Sequence, residues 1–303
     1  MKKFAPVFVV IAAALWAVDG IALRPILFSL PVPLVVFTES TIVALLLTPF
    51  IFNRFSALKR LSVKDWLAFF CVAFFGGAIG TMAITKALFY VNFVNLSIVI
   101  LIQKLQPVFA LSLAALLLKE RLPAKFFLWA GFAIIGAYFM TFGFTPPNLD
   151  TGEKTTIAAL FSLLAAASFG SSTVFSKRAL QNVDFEMGTY LRFGFSSIIM
   201  FVIVLYSGTM SSITEISSAQ FFTFLLIAFT TGGTAIFLYY YGLKRISASV
   251  ATICELAFPL TAIILEYTLR GNLLTPVQWV GAAVLLFSIF RVGGMNQNKI
   301  KNN

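Results

Sequence analysis

The chain contains no histidine. That absence excludes imidazole-ligated metal sites, Ser-His hydrolytic triads and histidine proton relays. Cysteine is nearly as scarce. Cys71 and Cys254 lie in apolar segments of different halves, so no disulfide is expected. Charged residues make up only 11% of the 303 positions, with 11 acidic side chains against 22 basic ones. A Gly-rich loop ending in Lys-Ser/Thr is missing, which leaves ATP drive without a binding motif. Neither a nucleophile–base pair nor a metal-ligand cluster is legible, so the chain is not expected to be an enzyme or to hold a cofactor or metal.

What is plentiful is apolar: 60% of residues are hydrophobic, 35 are Phe, and the mean hydropathy is +0.96. A soluble domain needs more polar surface than this, so the expected class is an all-α integral membrane protein. About 20 apolar residues cross a bilayer as a helix. Breaks at charges, Pro, Gly and Asn give ten such segments. They are 4–28, 33–52, 66–88, 95–118 and 126–144, then 156–175, 187–206, 219–243, 249–269 and 276–290. The first has the lysines and apolar core of a leader peptide, but nine comparable segments follow and it is read as a span. With the N-terminus inside, 16 of the 22 basic residues fall on the cytoplasmic side and two, Lys154 and Arg270, fall outside. This follows the positive-inside rule and predicts an inner-membrane protein with both termini in the cytoplasm. Anionic lipid headgroups then account for the net charge of +11, and no nucleic acid is needed.

The chain also repeats itself. Pro107 in the fourth segment and Pro259 in the ninth are 152 positions apart. At that offset Gly80 meets Gly232, Ala83 meets Ala235, and Gln103 meets Glu255. One position further, the ALWAVDGIALR around Asp19 lies over the ASFGSSTVFSK around Ser172, and Glu39 lies over Arg192. Each half, 1–148 and 149–303, thus holds five spans. Five is odd, so the second half crosses in the opposite sense and the repeat is inverted. Inverted repeats build carriers whose halves rock about a site near the bilayer midplane.

The run QPVFALSLAALLLKERL, with Pro107 inside the span and Glu120 just after it, resembles the EamA-type members of the drug/metabolite transporter superfamily. So do Gly131 downstream, Pro259 and Gly281 in the second copy, and the basic Arg192 in span seven. Asn272 stands near where the second copy often has an acid, and Glu39 is where the first half has no base. The resemblance covers nearly the whole chain. It implies secondary transport of a small metabolite, often export, without ATP hydrolysis, and it leaves the substrate open.

Ionisable side chains at a span centre cost about 2.5–3.5 kcal/mol each on insertion scales. Lys86, Glu266 and Arg24 lie near span ends, where snorkelling is the expected solution. Lys104 is different, being about 14 Å deep at ~1.5 Å per residue, and Glu255 is roughly 9 Å in from the other side. Each precedes a repeated proline, which cannot bond the carbonyl four residues back, that of Gln103 or of Glu255. Matched helix breaks at Pro107 and Pro259 point to a substrate site built on Lys104, Glu255, Gln103 and Gln106, with Asp19 and Trp16 from the first span. Glu39 and Arg192 are expected to gate the path or to pair. The Gly-rich GGAIG at 76–80 and TTGGT at 230–234 are expected to let helices approach closely, and YYYG at 239–242 to sit in an interfacial belt.

Lys104 and Glu255 together suit a zwitterion, which makes amino-acid export the sharpest expectation, with a proton as candidate coupling ion on Glu255. Efflux of apolar or cationic compounds and a non-transporting sensor or scaffold are the alternatives.

Overall fold

A computed structural model describes residues 4–90, 99, 102–103, 105–146, 154–270 and 275–301. Among them every regular element is helical. Seven helices are long and apolar enough to cross a membrane. They are α1 (Ala5–Leu27), α2 (Val32–Ile51), α3 (Val63–Tyr90), α5 (Ala124–Phe142), α6 (Thr155–Ala179), α7 (Phe185–Tyr206) and α8 (Ser218–Leu243). Three further apolar segments complete the ten expected from the sequence. These are α4 (Gln106–Leu117), α9 in two pieces (Ala248–Cys254 and Ala257–Arg270) and α10 (Pro276–Lys301).

The helix contacts obey the repeat. Helix α1 packs on α8 and on α9, while α6 packs on α3 and on α4. Helices α2 and α7 pair, as do α5 and α10, and α4 meets α9. Exchanging the first five helices for the last five maps this set of contacts onto itself. Every one of these pairs draws one helix from each half, so the halves interleave.

Local structure repeats as well. The third helix of each half opens with a capping box. Asp65 N donates to Ser62 Oγ at 3.3 Å in α3, and Gln220 N donates to Ser217 Oγ at 3.3 Å in α8, with the reciprocal bonds present. Both third helices are then interrupted midway, α3 by a π-helical stretch over Ala73–Ile79 and α8 by a break at Thr230–Gly232. The fourth helices break too, before Pro107 in α4 and at Glu255–Leu256 in α9. Each proline sits in the first turn of the new helix, where its missing N–H is least costly. The first helices differ: α1 carries a π-helical turn over Asp19–Leu23, while α6 is regular throughout.

Glycines permit the tightest approaches. A Cβ on Gly136 of α5 falls 2.8 Å from Leu285 N, and one on Gly281 of α10 falls 2.9 Å from Gly136 O. Both obstacles are backbone and cannot rotate away. Gly281→Val is therefore expected to push α5 and α10 apart and cost about 1–3 kcal/mol or more. The melting temperature in detergent checks this, and an unchanged value would refute the packing argument. In the GGAIG stretch, a Cβ on Gly76 collides with Ser172 Oγ and one on Gly77 with Ser196 Oγ, so this stretch seats α3 against α6 and α7.

Candidate functional site

The break in α9 leaves Glu255 at the end of its first piece, facing α4, α6 and α8. Its Oε2 accepts a bond from Gln106 Nε2 at 2.7 Å. Its Oε1 accepts from Tyr239 Oη at 2.6 Å and from Thr173 Oγ1 at 3.2 Å. Tyr239 and Thr173 are themselves 3.0 Å apart, and the Tyr239 ring lies 5.2 Å from that of Trp16 on α1. Glu255 therefore meets residues of both halves, with neutral donors on both of its oxygens. Thr173 and Tyr239 are buried behind it, whereas Glu255, Gln106 and Trp16 are only half-buried. An isolated carboxylate among apolar helices is strongly disfavoured, and hydrogen bonds to both oxygens offset that cost.

A second polar group lies beside the first. Arg192 Nη1 on α7 donates to Ser172 Oγ and to Tyr240 Oη, both at 3.5 Å, and the Tyr240 hydroxyl lies 3.0 Å from Ser176 Oγ. Ser172, Thr173 and Ser176 all come from α6, and Tyr239 and Tyr240 are neighbours on α8. Adjacent residues of α6 and of α8 are thus divided between the Arg192 group and the Glu255 site.

The third group lies at the break in α8. Arg24 Nε and Nη2 both reach Asp19 Oδ2, at 2.7 and 2.5 Å, and Nη2 also lies 3.2 Å from Glu39 Oε2. Thr231 Oγ1, in the break of α8, donates to Asp19 Oδ1 at 3.4 Å. The three charged side chains are only 11–13% exposed.

Several expectations change here. Arg24 does not snorkel from a span end; the π-helical turn of α1 brings it round to Asp19 and Glu39. Glu39 consequently bonds to Arg24 and not to Arg192, which is held by hydroxyls. The tyrosines of YYYG are not one interfacial belt: Tyr239 and Tyr240 are 3% and 0% exposed and serve the polar interior. Only Tyr241 fits the belt, with the Arg245 guanidinium 3.6 Å from its ring centroid.

Of the proposed site residues, Gln106 and Glu255 touch, and Trp16 joins them through Tyr239. Gln103 turns elsewhere, donating to the Ser162 carbonyl of α6 at 2.9 Å. The Glu255 carbonyl is not left open by Pro259, since Phe258 N takes it at 3.0 Å. Asp19 belongs to the Arg24 group. Lys104 and Asn272 lie outside the described residues, as does the side chain of Glu266. Lys86 is exposed, 5.5 Å over the Phe161 ring, in keeping with a span-end position.

Sequence reasoning missed Thr173 and Tyr239. The run of hydroxyls in GSSTVFS was the available signal, since hydroxyls in a span need internal partners. Glu120, noted only as a resemblance, caps the short first piece of α9. Its carboxylate accepts from Ala248 N at 2.8 Å, Ser249 N at 3.2 Å and Ser249 Oγ at 2.5 Å. Two surface clefts, of about 420 Å³ by Trp129 and Phe287 and about 320 Å³ by Arg54 and Glu186, include no residue bonded to Glu255.

Ten apolar helical segments, interleaved inverted halves and polar groups at matched helix breaks define a multi-pass membrane transporter. The chain belongs to the EamA-like transporter family, whose model matches it twice, over residues 3–142 and 156–293. It is 45% identical over 290 residues to the riboflavin transporter ImpX of Fusobacterium nucleatum, covering 95% of this chain and 97% of that one. An uncharacterised transporter of Synechocystis sp. is 27% identical over 239 residues, 76% of this chain and 66% of that one. A protein known from a crystal structure shares the fold at a TM-score of 0.73 and 16% identity, over 98% of this chain and 100% of that chain. The protein is a small-metabolite transporter and not an enzyme.

Proposed function

We propose that this protein carries riboflavin, or a closely related flat heteroaromatic metabolite, across the cytoplasmic membrane by alternating access between its two halves. The observation that carries this reading is the 45% identity to a riboflavin transporter along almost the full length of both chains. The site chemistry supports it. An isoalloxazine ring offers an apolar face and an edge of alternating imide donors and acceptors. Half-buried Trp16, backed by the buried Tyr239 ring, supplies an aromatic surface, and aromatic stacking is commonly worth about 0.5–1.5 kcal/mol beyond burial. The Glu255 carboxylate accepts from an imide N–H, and the Gln106 carboxamide both donates and accepts. Gln106, bonded to Glu255 at 2.7 Å, occupies the place an imide edge takes when substrate enters. The zwitterion expectation rests on Lys104 together with Glu255, and Lys104 lies outside the described residues.

The lopsided distribution of Lys and Arg supports cytoplasmic termini and an inner-membrane location. In proteoliposomes, labelled riboflavin is expected to exchange saturably, with inhibition by unlabelled riboflavin and none by amino acids. Flavin fluorescence provides a parallel binding readout, because stacking on Trp16 quenches it. Exchange of amino acids but not of riboflavin would overturn the assignment.

A further inference from the structure

We propose that Glu39, in its cluster with Asp19 and Arg24, is the residue that binds the proton coupling transport to a proton gradient. This rests on the reading of the chain as a secondary carrier, and it moves the proton away from Glu255 in the substrate site.

The cluster shares its one cation unequally. Arg24 directs both Nε and Nη2 to Asp19, at 2.7 and 2.5 Å, and only Nη2 to Glu39, at the longer 3.2 Å. Among the described residues no donor bonds the second oxygen of Glu39. That oxygen faces Gly232, where even a Cβ would come within 3.2 Å, so the glycine keeps it clear at the break in α8. The remaining Arg24 nitrogen, Nη1, is buried and unbonded, and so is the Thr38 hydroxyl next to Glu39. Two carboxylates on one guanidinium, each side chain 11–13% exposed, leave an excess negative charge where ionised groups are costly. A proton on the free oxygen of Glu39 removes that excess without breaking the Asp19–Arg24 pair.

Among the described residues the other charged groups on elements packed against α2 are bonded elsewhere or exposed, Asp65 being held by Ser62, Asn182 and Arg178. Arg192 on α7 is within electrostatic reach of Glu39 but bonds to Ser172 and Tyr240. Lys86 on α3 lies over the Phe161 ring, Arg54 pairs with Glu186, and Glu215, Lys59 and Lys64 are exposed. The inverted repeat argues against a purely structural role. The positions matching Asp19, Arg24 and Glu39 in the second half are Ser172, Lys177 and Arg192, with no acid among them. The fold is therefore built once with these carboxylates and once without, so packing of the repeat does not demand them.

The test uses the full chain in proteoliposomes, with labelled riboflavin and pH gradients of both polarities. The wild type is expected to accumulate riboflavin above equilibrium under one polarity. Glu39→Gln is expected to lose that overshoot while riboflavin–riboflavin exchange at equal pH persists. Glu39→Asp, which keeps a carboxylate on a shorter arm, is expected to retain the overshoot with a shifted pH midpoint. An undiminished overshoot in Glu39→Gln, or an unshifted midpoint in Glu39→Asp, would overturn the proposal, and so would a wild type that exchanges riboflavin but ignores both gradients. A wild type that does not exchange riboflavin at all would instead bring down the transport reading on which this rests.

Discussion

Replacing Glu255 by Gln is expected to weaken riboflavin binding by about 10–100-fold while leaving the protein folded. The change keeps the side chain's shape and its bonds from Tyr239 and Thr173 to one oxygen. What it removes is the anionic acceptor at Oε2, the atom that Gln106 now reaches. In the variant an NH2 group faces the Gln106 NH2 group, and one amide must flip to avoid a donor–donor contact. A substrate N–H then meets a neutral partner or none. Hydrogen bonds to a charged group are worth about 1.5–3 kcal/mol, and each ~1.4 kcal/mol is tenfold in affinity. Quenching of flavin fluorescence measures the affinity, and gel filtration with a melting curve checks the fold. Wild-type affinity in a folded Glu255→Gln protein would remove Glu255 from the substrate site.

Arg24→Met is expected to have the largest effect on stability. It leaves Asp19 and Glu39 facing each other in a largely buried place with no cation between them. Removing one partner from a buried ion pair costs about 3–5 kcal/mol, most of it the penalty of the charge left behind. Neutralising the whole group avoids that penalty. The triple variant Asp19→Asn, Arg24→Met, Glu39→Gln should therefore recover much of the melting temperature lost by Arg24→Met alone. A single variant that melts like the wild type would show that Arg24 does not hold this cluster together. A triple variant no better than the single would assign the loss to packing around the Arg24 stem and not to charge.

The ten segments were readable because membrane spans are long apolar runs, and the repeat was readable because Pro107 and Pro259 keep their order and spacing. The breaks in α4 and α9 followed from those prolines, whereas the glycine runs of α3 and α8 pointed to close helix approach and not to the interruptions found there. Pairing inside the membrane was harder to read. Depth counted along a regular helix takes no account of rotation about its axis, and Arg24 lies beyond a π-helical turn that alters its facing. Glu255 was identified as polar at a break, but its partners Thr173 and Tyr239 lie 82 and 16 positions away on different helices. Tyr239 and Tyr241 look alike in sequence; only the packing of α8 separates a ring bonded to Glu255 from one stacked by Arg245.

The interleaving of the halves bears on how such a chain enters a membrane. Helix α1 packs on α8, whose first residue is Ser218, so α1 emerges long before its lasting neighbour exists. The Asp19, Arg24 and Glu39 charges need no such wait, because all three belong to the first two helices. The opening hairpin can thus enter lipid with its cation already matched to two carboxylates, at less than the cost of three separate charges. Arg192 and Glu255 are bonded to residues on other helices, and their burial is completed only as the remaining spans assemble. The order of synthesis and the placement of charge agree: the pairing available earliest serves the helices that wait longest.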